Sequence, residues 1–239
     1  ATFAIVSPPM LSEAKRLLKN TFGFKRFRPH QEEIVEAILS GRDLFAALPT
    51  GGGKSLCYQL PSMLLPKLTV VVSPLIALME DQVEAARQLG LPAAYLNSSL
   101  GEGEARSVHR ALYAGEIKLV YLSPERLANR AFRQRLAEWG VSFFAIDEAH
   151  CISEWGHEFR PEYRSLPVIR EEFPEAPVAA FTATATPRVQ EDVVKLLELR
   201  EPLLVRGDFD RREIFYRVVK KAKVNDQILR FVEEHPEEP

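Results

Sequence analysis

Three consecutive glycines running into a lysine and a serine, Gly51 to Ser55, constrain this chain more than any other stretch. A short apolar run ends at Pro49 just before them, and Leu56, Leu60 and Leu64 follow at helical spacing. The segment therefore reads as strand, phosphate loop, helix. Glycine lets the backbone curl with its N–H groups pointing inward, so Thr50, Gly51, Gly52 and Gly53 can present several donors to a polyphosphate with no Cβ in the way. The positive end of the following helix falls at the same place. There Lys54 would lie along the β- and γ-phosphates, and the Ser55 hydroxyl would take a magnesium position. The pattern GxxxxGK[ST] asks for glycine six residues before the lysine, where this chain has Leu48. The cofactor expected is a magnesium nucleoside triphosphate.

Upstream, Phe22 to Gln31 sets aromatic and guanidinium planes beside a glutamine that opens a helix, Gln31 to Leu39. A side-chain amide both donates and accepts, so Gln31 can pair with the amino group and N7 of adenine while Phe24 or Arg28 covers a ring face. Core packing with solvated charge is the other reading of these residues. Leu11 to Asn20 forms a short amphipathic helix. Ala1 to Met10, with Pro8 and Pro9, reads as a poorly ordered extension.

Downstream, strand and helix patterns alternate. Leu68 to Val72, Ala93 to Leu96, Lys118 to Leu122, Val141 to Ile146, Val178 to Phe181 and Leu203 to Arg206 are apolar strands, and amphipathic runs separate many of them. That alternation predicts an α/β fold, a doubly wound and mainly parallel sheet with helices on both faces. The net charge of −2 supplies no global pull on nucleic acid, so any such binding needs a local basic groove. Cys57 and Cys151 are the only cysteines and carry no metal-ligand spacing, which points to a reducing, cytosolic setting. No run approaches the roughly 20 apolar residues that span a bilayer, so no membrane partner is expected.

The strand Val141 to Ile146 ends on Asp147, Glu148, Ala149 and His150. Carboxylates at the C-terminal ends of parallel strands sit where ligands bind in open α/β sheets. Asp147 can hold magnesium, Glu148 can orient and deprotonate an attacking water, and His150 can report the state of the site. Thr182 and Thr184, at the end of another strand, can link nucleotide state to the acidic pair.

Taken together, Phe22 to Gln31, Pro49 to Ser55 and Asp147 to His150 resemble the RecQ-type DNA helicases. Ser73 to Leu78, Tyr121 to Leu127 and Phe181 to Thr186 resemble that family's next blocks in the same order, and the likeness covers roughly residues 11 to 235. Helicases of this superfamily do not require the first glycine, which accounts for Leu48. The resemblance implies a RecA-like motor lobe at residues 11–207 that couples ATP hydrolysis to 3′-to-5′ unwinding of DNA in repair, recombination or replication. It further implies ATP and Mg2+ as cofactors, single-stranded and forked duplex DNA as partners, and a cytoplasmic (including bacterial nucleoid) or nuclear location. An RNA helicase of related architecture and a non-hydrolysing nucleotide- and DNA-binding module are the alternatives.

Cys151 to Tyr163 resembles the aromatic-rich loop that sets RecQ enzymes apart. Trp155 and Phe159 offer faces to an unpaired base at roughly 1–3 kcal/mol each, Arg160 offers a phosphate or base contact, and His157 lies among them as a DNA-site residue. A hydrophobic plug beneath a surface loop is the bland alternative. His157 has no metal-ligand partners in the sequence, so a metal role is not expected for it. Residues 208–239 resemble the link into a second RecA-like lobe, with a strand near Ile214 to Val219, a helix near Val224 to Glu234 and an acidic end at Pro236 to Pro239. Without the rest of that lobe, which brings an arginine to the phosphates and is worth roughly 10³–10⁵ in rate, the chain alone should turn over ATP only slowly.

Overall fold

A computed structural model describes residues 8–209 and 218–234. Residues 1–208 form one compact unit and residues 209–239 a second. The first is built on seven strands, β1 Leu44–Ala47, β2 Leu68–Val72, β3 Ala93–Leu96, β4 Leu119–Leu122, β5 Val141–Ile146, β6 Val178–Thr182 and β7 Leu203–Arg206. Their spatial order is β3-β4-β2-β5-β6-β1-β7, and every neighbouring pair is parallel. Helices α1 Pro8–Asn20, α2 Gln31–Leu39, α3 Lys54–Leu64, α4 Ile76–Gln88, α5 Glu102–Tyr113, α6 Pro124–Ala128, α7 Arg130–Trp139, α8 Val168–Glu172 and α9 Pro187–Leu196 cover the two faces.

The faces are sorted by the two-residue period of the strands. Leu44, Ala46 and Val71 join α2, α3 and α4 through Ile34, Cys57, Tyr58, Met79 and Val83 in one buried layer. Phe45, Ala47, Val70 and Val72 turn the other way and join Leu112, Phe132, Leu136, Val189 and Val193 of α5, α7 and α9. Strands buried on both faces are what near-continuous apolar runs such as Leu68–Val72 require. Thr186 starts α9 by accepting a hydrogen bond from the Val189 amide at 3.3 Å, with Pro187 in the first turn.

Helix α1 begins at Pro8, so Pro8 to Met10 do not belong to an extension. Proline costs nothing in a first helical turn, where no N–H is needed, and α1 is held by Ala14 and Leu18 against Val35 and Leu60. Residues 1–7 lie outside the described residues, as do Ile214 to Arg217 of the strand expected near there and the acidic end at Pro236 to Pro239. In the second unit, α10 spans Val224–Glu234 as the sequence predicts. Gln227 anchors its start, receiving the Ala222 amide and donating to the Lys220 carbonyl, both at 3.1 Å. Among the described residues no helix is long and apolar enough to cross a membrane.

Candidate nucleotide and nucleic-acid site

β1, β5 and β6 lie side by side, so parallel register brings the residues after Ala47, Ile146 and Phe181 to one edge of the sheet. After β1 the backbone turns at Pro49, whose carbonyl accepts from the Gly52 amide at 2.9 Å. Gly51 and Gly53 have φ of 80° and 77°, which other residues adopt only with strain. A Cβ at Gly52 would lie 2.9 Å from the Pro49 oxygen, and one at Gly53 would run into Nε2 of Gln31. The glycines are thus dictated by close approach as well as by torsion. Lys54 opens α3 and its ammonium donates to the Leu48 carbonyl at 3.3 Å.

Gln31 is 3% exposed, and its amide is spent on the loop rather than held out to solvent. Nε2 donates to the carbonyls of Gly53 (3.1 Å) and Gly52 (3.4 Å), while Oε1 accepts from the Arg28 amide at 2.9 Å. The Arg28 guanidinium donates to the Gly51 carbonyl. Three successive loop carbonyls are therefore drawn toward α2, which favours the inward turn of the N–H groups that an anion needs. Beside this contact Phe24, Arg28, Pro29 and Glu32 help line a hollow of about 640 Å³, with Phe24 exposed in it.

Asp147 is buried, and burial first, then the adjacent Glu148 charge, pushes its carboxyl up to about 6 from 3.8. The Glu148 amide, then the Lys54 and His150 charges, pull the other way. Glu148 follows with φ 46°, a left-handed conformation that costs a non-glycine residue free energy and that concentrates at functional sites. Its carboxylate is held below the usual range, mainly by the hydrogen bond to His150 at 3.2 Å. His150 Nδ1 also meets Thr182 Oγ1 at 2.9 Å. The Thr182 hydroxyl donates its one proton to the Thr184 carbonyl at 2.9 Å, so Nδ1 of His150 must carry the proton shared with Thr182 and Glu148.

The loop after His150 is tied to this network from several sides. The rings of His150 and His157 stack at 4.2 Å and 17°, and His157 Nδ1 lies 3.2 Å from Thr184 Oγ1. Gly156 packs so closely on the His150 carbonyl that a Cβ there would collide with it. Ser153 donates to Asp192 at 2.7 Å and accepts from the Trp155 amide at 3.1 Å. Arg160 reaches across to the Pro74 carbonyl at 3.2 Å. Trp155 is 58% exposed, yet one face is covered by the Arg188 guanidinium at 3.3 Å, and Arg164 lies 5.2 Å over Phe159. Both rings meet cations, a cation–π contact that covers one face of each.

His157 does have neighbours with ligand atoms. Folding brings His150, His157 and Glu158 within 4.8 Å of one another, which corrects the expectation drawn from spacing alone. Nearly parallel stacked rings aim their lone pairs side by side rather than at a common point, however, so the pair is built for stacking and not for chelation.

The sequence pattern of the DEAD/DEAH box helicases matches residues 28–193. The chain belongs to the DEAD/DEAH box helicase family. It is 45% identical over 224 residues to the ATP-dependent DNA helicase RecQ of Pasteurella multocida, covering 94% of this chain and 35% of that protein. The RecQ of Haemophilus influenzae is 43% identical over 234 residues, covering 95% of this chain and 38% of that one. The chain thus spans little more than a third of the length of these relatives. Among solved structures, the DUF1998 helicase MrfA shares the fold with a TM-score of 0.68 at 18% identity, over 96% of this chain and 38% of that one.

Within this helicase lobe the structure brings Lys54, Asp147, Glu148, His150 and the loop residue His157 into one connected edge. Gln31 and Arg28 stand against the glycine loop, on the carbonyls of Gly51, Gly52 and Gly53. Tyr163, which closes the aromatic-rich stretch and to which the sequence assigns no role, donates its hydroxyl to the Asp147 carbonyl at 2.9 Å. Sequence reasoning missed Arg188 and Asp192, which come from α9. Nothing in their local sequence separates them from ordinary core or surface residues.

Proposed function

We propose that this chain is the ATP-binding lobe of a RecQ-type DNA-unwinding motor. The observation that carries the reading is the unbroken path from Glu148 through His150 and Thr182 to Thr184 and His157, which joins the acidic strand end to the aromatic loop. Thr50, Gly51, Gly52, Gly53 and Lys54 receive the polyphosphate of ATP, and Phe24, Arg28 and Gln31 receive adenine. To pair with the base, Gln31 has to trade at least one loop carbonyl for it, so adenine recognition and loop shape are coupled.

Ser55 and Asp147 fit magnesium, because a hydroxyl and a buried carboxylate are the oxygen donors that a hard cation takes. Bound magnesium would neutralise phosphate oxygens as charge shifts during transfer. Glu148, kept ionised by His150, orients a water and takes its proton as the water oxygen bonds to the γ-phosphorus and the bond to the β-phosphate oxygen breaks. Trp155, His157, Phe159 and Arg160 engage single-stranded DNA, and movement of His157 against His150 shifts the carboxylate that handles the water.

On this reading residues 208–239 begin a second RecA-like lobe, movement is 3′ to 5′, and the protein works on chromosomal DNA in cytoplasm, nucleoid or nucleus. The test is steady-state ATP hydrolysis by the full-length protein with single-stranded DNA, single-stranded RNA or neither. Strong stimulation by DNA and little by RNA is expected. Equal stimulation by RNA, or none by either, would overturn the proposal.

A further inference from the structure

Away from the nucleotide edge, the ends of α5 and α7 enclose a hollow of about 320 Å³ lined by His109, Arg110, Tyr113, Arg135, Glu138 and Trp139. In a parallel sheet each connecting helix ends near the start of the next strand. α5 stops at Tyr113 before β4, and α7 stops at Trp139 before β5. The hollow therefore lies toward the N-terminal edge of the sheet, opposite the edge that carries Lys54, Asp147 and Trp155.

Its chemistry is unlike that of an ordinary solvated surface. The floor is aromatic, with Trp139 5.9 Å from Phe132 and 5.5 Å from His109, and Arg126 lies over Phe132. Tyr113 stands 80% exposed at the rim, a ring with one face free for a partner. Among the described residues, Arg110 and Arg135 make no ion pair or side-chain hydrogen bond. Nδ1 of His109 is buried with no hydrogen-bond partner. Burial and the charges of Arg126 and Arg135 hold this imidazole neutral by lowering its pKa. Positive charge thus converges on an aromatic hollow with unspent donors, and Glu138 is the single carboxylate in the lining.

We infer that this groove binds a segment of single-stranded nucleic acid, one base stacked on Tyr113 with its flanking phosphates on Arg110 and Arg135. Glu138 accepts from an N–H on the Watson–Crick edge of that base, N3–H in thymine or the amino group in cytosine. An acidic peptide fits less well, because its Asp and Glu side chains offer the arginines charge but give the exposed Tyr113 ring no flat base to stack on. A strand-separating motor yields two single strands, and this groove lies on the edge opposite the loop assigned to the first of them. The inference rests on the DNA-handling role proposed above and adds to it a second strand contact.

The test measures binding of a fluorescein-labelled oligothymidylate by anisotropy over a range of salt. The background is Trp155→Ala/Arg160→Ala, in which contact through the aromatic loop is removed. Adding Tyr113→Ala should weaken the remaining binding roughly 5- to 150-fold, the effect of losing one stacked base. Adding Arg110→Ser/Arg135→Ser should reduce the slope of log K against log salt by about 1.4, the value for two phosphates on a single strand. These side chains are at the surface, so the melting temperature should stay within a few degrees and report that the variants fold. Unchanged affinity and slope would overturn the groove while leaving the loop assignment standing. Sensitivity to Tyr113→Ala, with Trp155→Ala/Arg160→Ala silent in the parent, would overturn the loop and support the groove. Loss of an Asp- and Glu-rich peptide probe, with oligothymidylate binding intact, would make this a protein-docking face and overturn the inference.

Discussion

Replacing Asp147 by asparagine should make the nucleotide- and magnesium-free lobe more stable while removing the carboxylate proposed to hold magnesium. The carboxyl is buried, and its pKa stands at about 6 against 3.8 when unperturbed. A raised carboxyl pKa works in the opposite sense to the usual salt-bridged acid. Above pH 6 the folded state has to hold a charge that the unfolded state solvates better, and the cost disappears as pH falls through about 6 toward 3.8. The difference between those values corresponds to about 3 kcal/mol at pH 7, shrinking to roughly half that at pH 5. Asparagine removes the charge and keeps the oxygen that accepts the Glu148 amide at 3.0 Å, so little else changes. The assay is urea unfolding of both proteins at pH 7 and pH 5 in the presence of a chelator. Asp147→Asn should gain up to about 3 kcal/mol at pH 7, and the gain should narrow at pH 5. A variant no more stable than its parent, or a gain that does not change with pH, would refute the argument that burial dominates this carboxyl.

Lys54→Ala should abolish most triphosphate affinity without unfolding the lobe, because the loop is a surface feature; calorimetric titration with a non-hydrolysed ATP analogue checks it. Glu148→Gln in the full-length protein should spare nucleotide binding and slow hydrolysis by orders of magnitude in single-turnover assays, since an amide cannot take the water's proton. Asp43→Ala should destabilise the fold by about 3–5 kcal/mol in urea unfolding, because a buried arginine is left unpaired. That carboxylate receives Arg170 at 2.6 Å and the amides of Val178 at 2.8 Å and Arg200 at 2.7 Å. Trp155→Ala in the full-length protein should keep basal ATP hydrolysis and blunt its stimulation by single-stranded DNA, read from the DNA concentration giving half-maximal rate.

Much of the architecture was legible in the sequence, because strands buried on both faces have to be written as continuous apolar runs. Leu68–Val72, Ala93–Leu96 and Val141–Ile146 lie where their composition places them, and the edge strand Leu203–Arg206, half exposed, also falls where the sequence places it. Less was legible between β4 and β5, where Pro124–Ala128 and Arg130–Trp139 form two helices that the alternation of strands passes over. Charged and apolar residues are nearly balanced there, and Leu127, Phe132 and Leu136 are the side chains buried in the core.

The glycine-rich loop, the acidic strand end and the aromatic loop were identifiable as candidate site segments from the chain itself, because each is a contiguous stretch whose chemistry is local. Glycines that must curl around an anion, and carboxylates that must end a strand, leave their mark within a few residues. The partners of those stretches were decided only by the tertiary structure. Gln31 is spent on the carbonyls of Gly52 and Gly53 because α2 packs against the start of α3, some twenty residues on. His157 stacks on His150, Arg188 covers Trp155 and Asp192 holds Ser153 because parallel pairing of β5 with β6 brings α9 beside the loop. Hydrogen bonds and ring contacts act over a few ångströms, and residues far apart in the chain reach that range only once the sheet order has been chosen.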